Sequence, residues 1–204
     1  TGNFLVNNAQ LERGNGTAEF NYVENGAFRY VTDTAPYNWS ESTIATQTLN
    51  EESVNAVVLN GGLPYYEQSG ETYTLKDSVS SVTQNVKING KKGDVYSVGG
   101  WFKGLFDDNY INPNFMPNYA TTNTQLTNCL AQIKVTYQYT KDTTDSDGND
   151  TQETITENFV VDFAPHNNDW QYAVDSFALK ADVESVDITI ITKNIPAISY
   201  ATNI

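Results

Sequence analysis

The sequence predicts an all-β protein, a two-layer antiparallel β-sandwich. Three observations carry this. Residues alternate apolar and polar with a period of two at 82–88, 133–139 and 186–190, as strands with one buried face do. The runs lie too close together for crossover helices, and no amphipathic helix of about twelve residues appears, which sets aside an α/β sheet. Thirteen Tyr, nine Phe and three Trp, with abundant Thr, Asn, Val and Ile, supply bulk and strand propensity. A chain of 204 residues suits one sandwich with a single core, read as one domain over 1–204.

The formal charge is −14, from eleven basic and twenty-five acidic residues. This argues against nucleic acid and against an anionic membrane surface. A bilayer-spanning run and a signal peptide are both absent, so membrane insertion is not expected. The chain opens at Thr1 without Met, which reads as a mature or excised fragment. One cysteine, Cys129, excludes an internal disulfide.

The most informative stretch is 81–104, SVTQNVKINGKKGDVYSVGGWFKG. Val82, Gln84, Val86 and Ile88 share one parity. A turn rich in Asn, Gly, Lys and Asp follows, then a second run at 95–102. This predicts a hairpin or two neighbouring strands. Gly99-Gly100 implies a neighbour, expected to be aromatic, lying across the strand. Trp101 is expected to fill the space between the sheets.

Residues 1–13 predict a first strand kinked at Asn7-Asn8, and 17–30 short strands about Asn25-Gly26. Residues 35–40, APYNWS, form a loop. Trp39 there either covers one end of the core or lines a ligand groove. A weak alternation at Ile44, Thr46 and Thr48 is followed by strands at 54–59 and 72–75. Tyr65-Tyr66 falls in a loop between them. That pair either stacks against a sugar or plugs an open sandwich end. Residues 105–129 form a long connection that packs as a lid or bears a site, anchored by aromatics such as Phe106, Tyr110 and Phe115.

Residues 130–139 read as a clean strand with 154–163 as partner. The acidic loop between them fails the calcium-loop pattern, since Thr143 and Thr154 stand at its first and twelfth positions. It reads as a solvated hairpin loop, with adventitious divalent binding as the alternative. His166, the only histidine, lacks grouped partners for zinc. Further strands are expected at 170–174 and 176–179, broken at Asp175, then at 183–192 and 198–204.

These segments also carry a resemblance. FLVNNAQLE at 4–12 is similar to an opening NLLxNxxFE. Gly93, Asp94, Tyr96, Trp101, Lys103 and Gly104 match a Gly-Asp-x-Tyr-x-x-Ser-x-Trp-x-Lys-Gly strand. Trp170-Gln171, Phe177 and the closing Tyr200-Ala201-Thr202-Asn203-Ile204 continue the match. The chain thus resembles galactose-binding-like β-jelly rolls of bacterial surface and YD/Rhs-repeat proteins, which are similar to carbohydrate-binding modules. The resemblance implies a jelly roll, an extracellular or cell-surface location, and neighbouring domains in the same chain. It also implies a structural calcium between Glu12 and the last strand, where Thr202 replaces the expected Asp and weakens the site.

Sugars present apolar ring faces rimmed by hydroxyls, which flat aromatics and amide side chains meet. The expectation is a glycan or cell-surface polysaccharide as partner. Trp39, Tyr65 and Tyr66 are the expected stacking surface, and Asn38, Gln68 and Asn112 read hydroxyls. The alternative is a structural or adhesive spacer without a small ligand. An enzyme is not expected: Asp107-Asp108 and Asp169 form no recognisable pair of catalytic carboxylates.

Overall fold

The computed structural model describes residues 12–13, 21–32, 35–60, 62, 65–104, 129–165, 167–195 and 198–204, with 12–13 as backbone alone. The strands are β1 (Glu12–Arg13), β2 (Thr43–Leu49), β3 (Glu52–Asn60), β4 (Tyr65–Ser69), β5 (Thr72–Lys76), β6 (Val79–Gly90), β7 (Val95–Gly104), β8 (Leu130–Thr144), β9 (Asp150–Phe163), β10 (Gln171–Ala178), β11 (Val183–Lys193) and β12 (Ile198–Thr202). One sheet runs β1-β7-β12-β3-β2, with β10 on the other edge of β7. A second runs β6-β11-β8-β9, and β4-β5 stand as a separate pair. Every pairing is antiparallel. From β6 onward the chain passes repeatedly from one sheet to the other, the connectivity of a jelly roll. The expected all-β sandwich is what the chain forms.

The inward parity of each strand builds the core. Val82, Val86 and Ile88 of β6, Val186, Ile188 and Ile190 of β11, and Ile133 and Val135 of β8 form one wall. Tyr96, Val98 and Phe102 of β7 face them, with Val57, Leu59 and Ala201. Phe163 stacks on Phe102 at 5.3 Å, and Phe177 stands 6.0 Å from Tyr96.

The pairing of β6 with β7 differs from expectation. The two do not share a sheet: β6 pairs with β11, and β7 with β10, β12 and β1. Both strands bury one face, and the two faces meet across the core, so the turn between them is a corner from layer to layer. Asp182 fixes that corner, accepting from the Lys92 N–H at 2.8 Å and from Lys91 Nζ at 2.9 Å. The nearest described neighbours of the glycine pair are backbone and aliphatic groups, not the expected aromatic. A Cβ at Gly99 would meet the Ala173 carbonyl at 2.5 Å, and one at Gly100 the Ile204 Cδ1 at 2.4 Å.

The β8–β9 hairpin pairs the two segments as expected, with Ala131 opposite Phe163 and Tyr139 opposite Ile155. Its strands continue to Thr144 and Asp150, leaving a short loop. There the Asp145 carboxylate accepts from the N–H groups of Asp147 and Asn149 at 2.9 and 2.8 Å. These bonds, those from Asn149 first, hold its carboxyl below the usual carboxylate range. Strand β10 runs through Asp175 without the expected break. The residues called a first strand at 1–11, the 105–128 connection and His166 lie outside the described residues.

Candidate functional site

Residues 21–32 and 35–40 fold onto the edge of β6, and the sequence dictates how. Asn25, at φ 53°, accepts the Tyr30 N–H at 3.0 Å through its side-chain oxygen and donates to the Tyr30 and Tyr37 carbonyls at 2.7 and 3.2 Å. A short bridge pairs Val31 with Pro36. Ser40 then extends β6: its N–H donates to the Thr83 carbonyl at 2.9 Å, and the Thr83 N–H returns to the Ser40 hydroxyl at 2.9 Å.

Gln84 locks this segment. It occupies the inward parity of β6 between Val82 and Val86 and is 3% exposed. A buried carboxamide needs partners. Here its oxygen accepts the Glu24 N–H at 2.9 Å, and its NH₂ donates to the carbonyls of Glu24 at 2.8 Å and Asn38 at 3.2 Å. The Trp39 indole N–H also donates to the Glu24 carbonyl, at 3.2 Å.

Above this lock lies a cleft of about 440 Å³, lined by Asn21, Tyr22, Glu24, Asn38, Asn85 and Lys87, with Gln84 and Val86 at its base. The Asn38 carboxamide donates to the Glu24 carboxylate. Asn85 donates to Asp187 at 2.8 Å. It also lines a neighbouring depression of about 350 Å³ with Thr136, Gln138 and Ser185. The cleft therefore combines one aromatic side chain, several amides and one charge of each sign on a fixed backbone.

The residues expected to bind sugar are not brought together. Asn38 lines the cleft. Trp39 does not: it is 6% exposed, its ring 5.2 Å from Phe28. The expectation of a stacking face at Trp39 is corrected, because the loop turns its indole into the core. Tyr65 and Tyr66 lie in β4 rather than in a loop. They are exposed but point to opposite faces. Tyr66 and Gln68 share a face with Tyr73 and Leu75 of β5. Asn112, Tyr110 and Asp107-Asp108 lie outside the described residues. Trp101, expected to fill the space between the sheets, is instead half-buried on the outer face, with its ring 5.3 Å from that of Tyr172. Its parity is opposite to that of Tyr96, Val98 and Phe102, which fill the core. Trp170 is half-buried and donates to the Thr48 carbonyl at 2.7 Å.

Tyr22, Glu24, Asn85 and Lys87 were missed. The signal was Gln84, a neutral amide on the apolar parity of a strand, which demands a backbone laid against it.

Of the implied calcium shell, only the Glu12 backbone and Thr202 lie among the described residues. Glu12 pairs with Ser97 and Thr202 with Trp101 along the same edge of β7, four residues or roughly 13 Å apart. The Thr202 hydroxyl, fully buried, donates to the Asn55 carbonyl at 2.5 Å. The Glu12 side chain lies outside the described residues. Among the described residues no group of three His, Cys, Asp or Glu side chains could hold a metal. No described helix is long and apolar enough to cross a membrane.

No family model matches the chain. No curated protein matches it either. Among solved structures it is similar to the enzymatically active domain of tailspike protein 4 of bacteriophage CBA120, at 12% identity and a TM-score of 0.43, over 89% of this chain and 20% of that one. It is similar to a family 16 carbohydrate-binding module, at 15% identity and a TM-score of 0.40, over 81% and 86% of the two chains. It is also similar to the TmCBM61 module in complex with β-1,4-galactotriose, at 12% identity and a TM-score of 0.38, over 89% and 94%. The chain therefore spans only a fifth of the tailspike's length, but most of the length of both modules.

Proposed function

We propose that the chain is a single non-catalytic carbohydrate-binding domain over 1–204, and that it takes a neutral glycan in the cleft beside Asn38. The observation that carries this is the Gln84 lock, which fixes the Glu24 and Asn38 backbone under the cleft. A pre-fixed rim lowers the ordering cost of binding. Tyr22 offers apolar surface to a ring face, and Asn21, Asn38, Asn85 and Glu24 offer groups that pair with hydroxyls. The volume lies within the range of about 300–1,000 Å³ usual for small-molecule sites. With Glu24 and Lys87 both present, the site favours neither sign of ligand charge.

Affinity at one open cleft is modest, so useful attachment comes from several modules on one polymer. This suits a domain of a larger extracellular protein of the bacterial surface, including those with Rhs repeats. Trp39 serves from beneath the cleft, not as a stacking face. The rival reading is a structural or adhesive spacer. The exposed face of Tyr66, Tyr73 and Leu75 favours it, since aromatic surface also suits protein contact.

A glycan array followed by calorimetry tests the proposal, using neutral plant, host and cell-wall oligosaccharides. Binding should weaken about tenfold in Asn85→Ala and in Asn38→Gly, with the melting temperature little changed. Absence of binding to every neutral glycan, or binding indifferent to both variants, would overturn it.

A further inference from the structure

A separate depression of about 230 Å³ opens where the last residues of the chain meet β3. Arg29, Glu52, Ser53, Asn55 and Asn203 line it. Asn203 is 3% exposed, yet its carboxamide has no hydrogen-bond partner among the described residues. An interior amide is normally paired, and one left open toward a cavity awaits a partner from outside.

The walls are held firmly. The Ile204 N–H donates to the Gly26 carbonyl at 3.1 Å, and a Cβ at Gly26 would stand 2.0 Å from the Ile204 oxygen. Asn55 Nδ2 donates to the Phe28 carbonyl at 3.0 Å. Phe28, Glu51 and Asn203 all have left-handed backbones, at φ 51°, 68° and 53°. For a bulky residue such as Phe28 that conformation is strained, and such strain persists only where the surroundings impose it.

The chemistry of the lining selects the ligand. Arg29 places a fixed positive charge at the pocket and disfavours a metal cation. Glu52 offsets that charge and disfavours a simple anion. Neither residue is in an ion pair among the described residues. Among the lining residues Arg29 supplies donors, Glu52 acceptors and the Asn203 carboxamide both. Groups that donate and accept at once, on adjacent atoms, satisfy such a set, and vicinal hydroxyls are the simplest. The pocket is too small for a chain of rings.

We propose that this pocket binds one neutral sugar ring, the terminal unit of a glycan, through Asn203, Arg29 and Glu52. The site is distinct from the cleft beside Asn38 and does not depend on it.

Titration of the ¹⁵N-labelled chain with methyl glycosides of glucose, galactose and xylose, with glycerol as a control, tests this by NMR. The Asn203 NH₂ and Arg29 Nε–H signals should shift saturably with a glycoside and not with glycerol. The shift should weaken at least about tenfold in Arg29→Met, whose side chain is exposed, and in Asn203→Gly, which tolerates the left-handed backbone. No saturable shift at these groups up to about 0.1 M glycoside would overturn the proposal, as would an unaltered response in Arg29→Met. Shifts confined to Tyr22, Asn38 and Asn85 would sink this pocket while leaving the cleft intact. Shifts confined to Asn203 and Arg29 would do the reverse.

Discussion

Trp39 fills the space beneath the cleft, between Phe28 and the Glu24 backbone, so its worth is structural. Truncation to Ala leaves a large cavity and should cost about 3–5 kcal/mol in denaturant melts. Trp39→Phe keeps most of the bulk and loses one hydrogen bond, so about 1 kcal/mol is expected. A Trp39→Ala loss below about 1 kcal/mol would mean that the ring is not packed in the core. The sequence left both roles of Trp39 open, and composition could not decide, because the direction of an aromatic in a Pro/Asn loop depends on what the loop docks against. Gln84 was more legible. Its parity with Val82, Val86 and Ile88 was visible, but its partners lie sixty and forty-six residues away.

At the level of elements, two features stand apart from the core. Among the described residues, strands β4 and β5 pair only with each other, through a two-residue turn with Gly70 at φ 61°, and every residue in both is exposed. An isolated two-stranded ribbon is marginally stable. Its amides should exchange with solvent far faster than those of β6 and β11, and protection equal to theirs would show that the ribbon packs on the body. The second feature is the junction of Asp77 with the end of β11. Asn194 Nδ2 donates to the Asp77 carboxylate at 2.8 Å, and Lys193 Nζ stands 2.6 Å from it. The hydrogen bonds from Asn194 and Lys193 hold the Asp77 carboxyl below its ordinary range. The contact therefore stabilises the fold above the unfolded Asp value of about 3.9, and is lost as pH falls through the lower folded value. The melting temperature of the parent should exceed that of Asp77→Asn at neutral pH, and the two should converge as pH falls through the lowered folded value. A difference independent of pH would exclude a charged Asp77 as its source. Strand existence was legible from period two, as at β8, β9 and β11. Sheet membership was not, because β6 and β7 carry the same pattern whether they pair side by side or face each other across the core.

At the scale of the molecule, the long-range pairings decide the behaviour. β6 pairs with β11, with Val86 opposite Val186, and β3 pairs with β12, with Val57 opposite Ala201. Such contacts must close long loops before they gain anything, so folding should take milliseconds to seconds rather than microseconds. β12 matters most to closure. It lies between β7 and β3, joining the two halves of one sheet, and Ser199, Ala201 and Thr202 on it are buried. Ile204 beyond it touches the space above Gly100, and its N–H ties down the turn at Gly26. Removing 198–204 would strip both β3 and β7 of a partner, expose Val57 and Phe102, and release the turn that carries Arg29 and Glu24. The shortened chain should lose its cooperative melting transition and, with it, both the cleft and the pocket. Adding a synthetic peptide of 198–204 should restore part of the transition by strand addition. A shortened chain that still melts cooperatively near the parent temperature would show that the sheet is held by contacts other than those of its central strand.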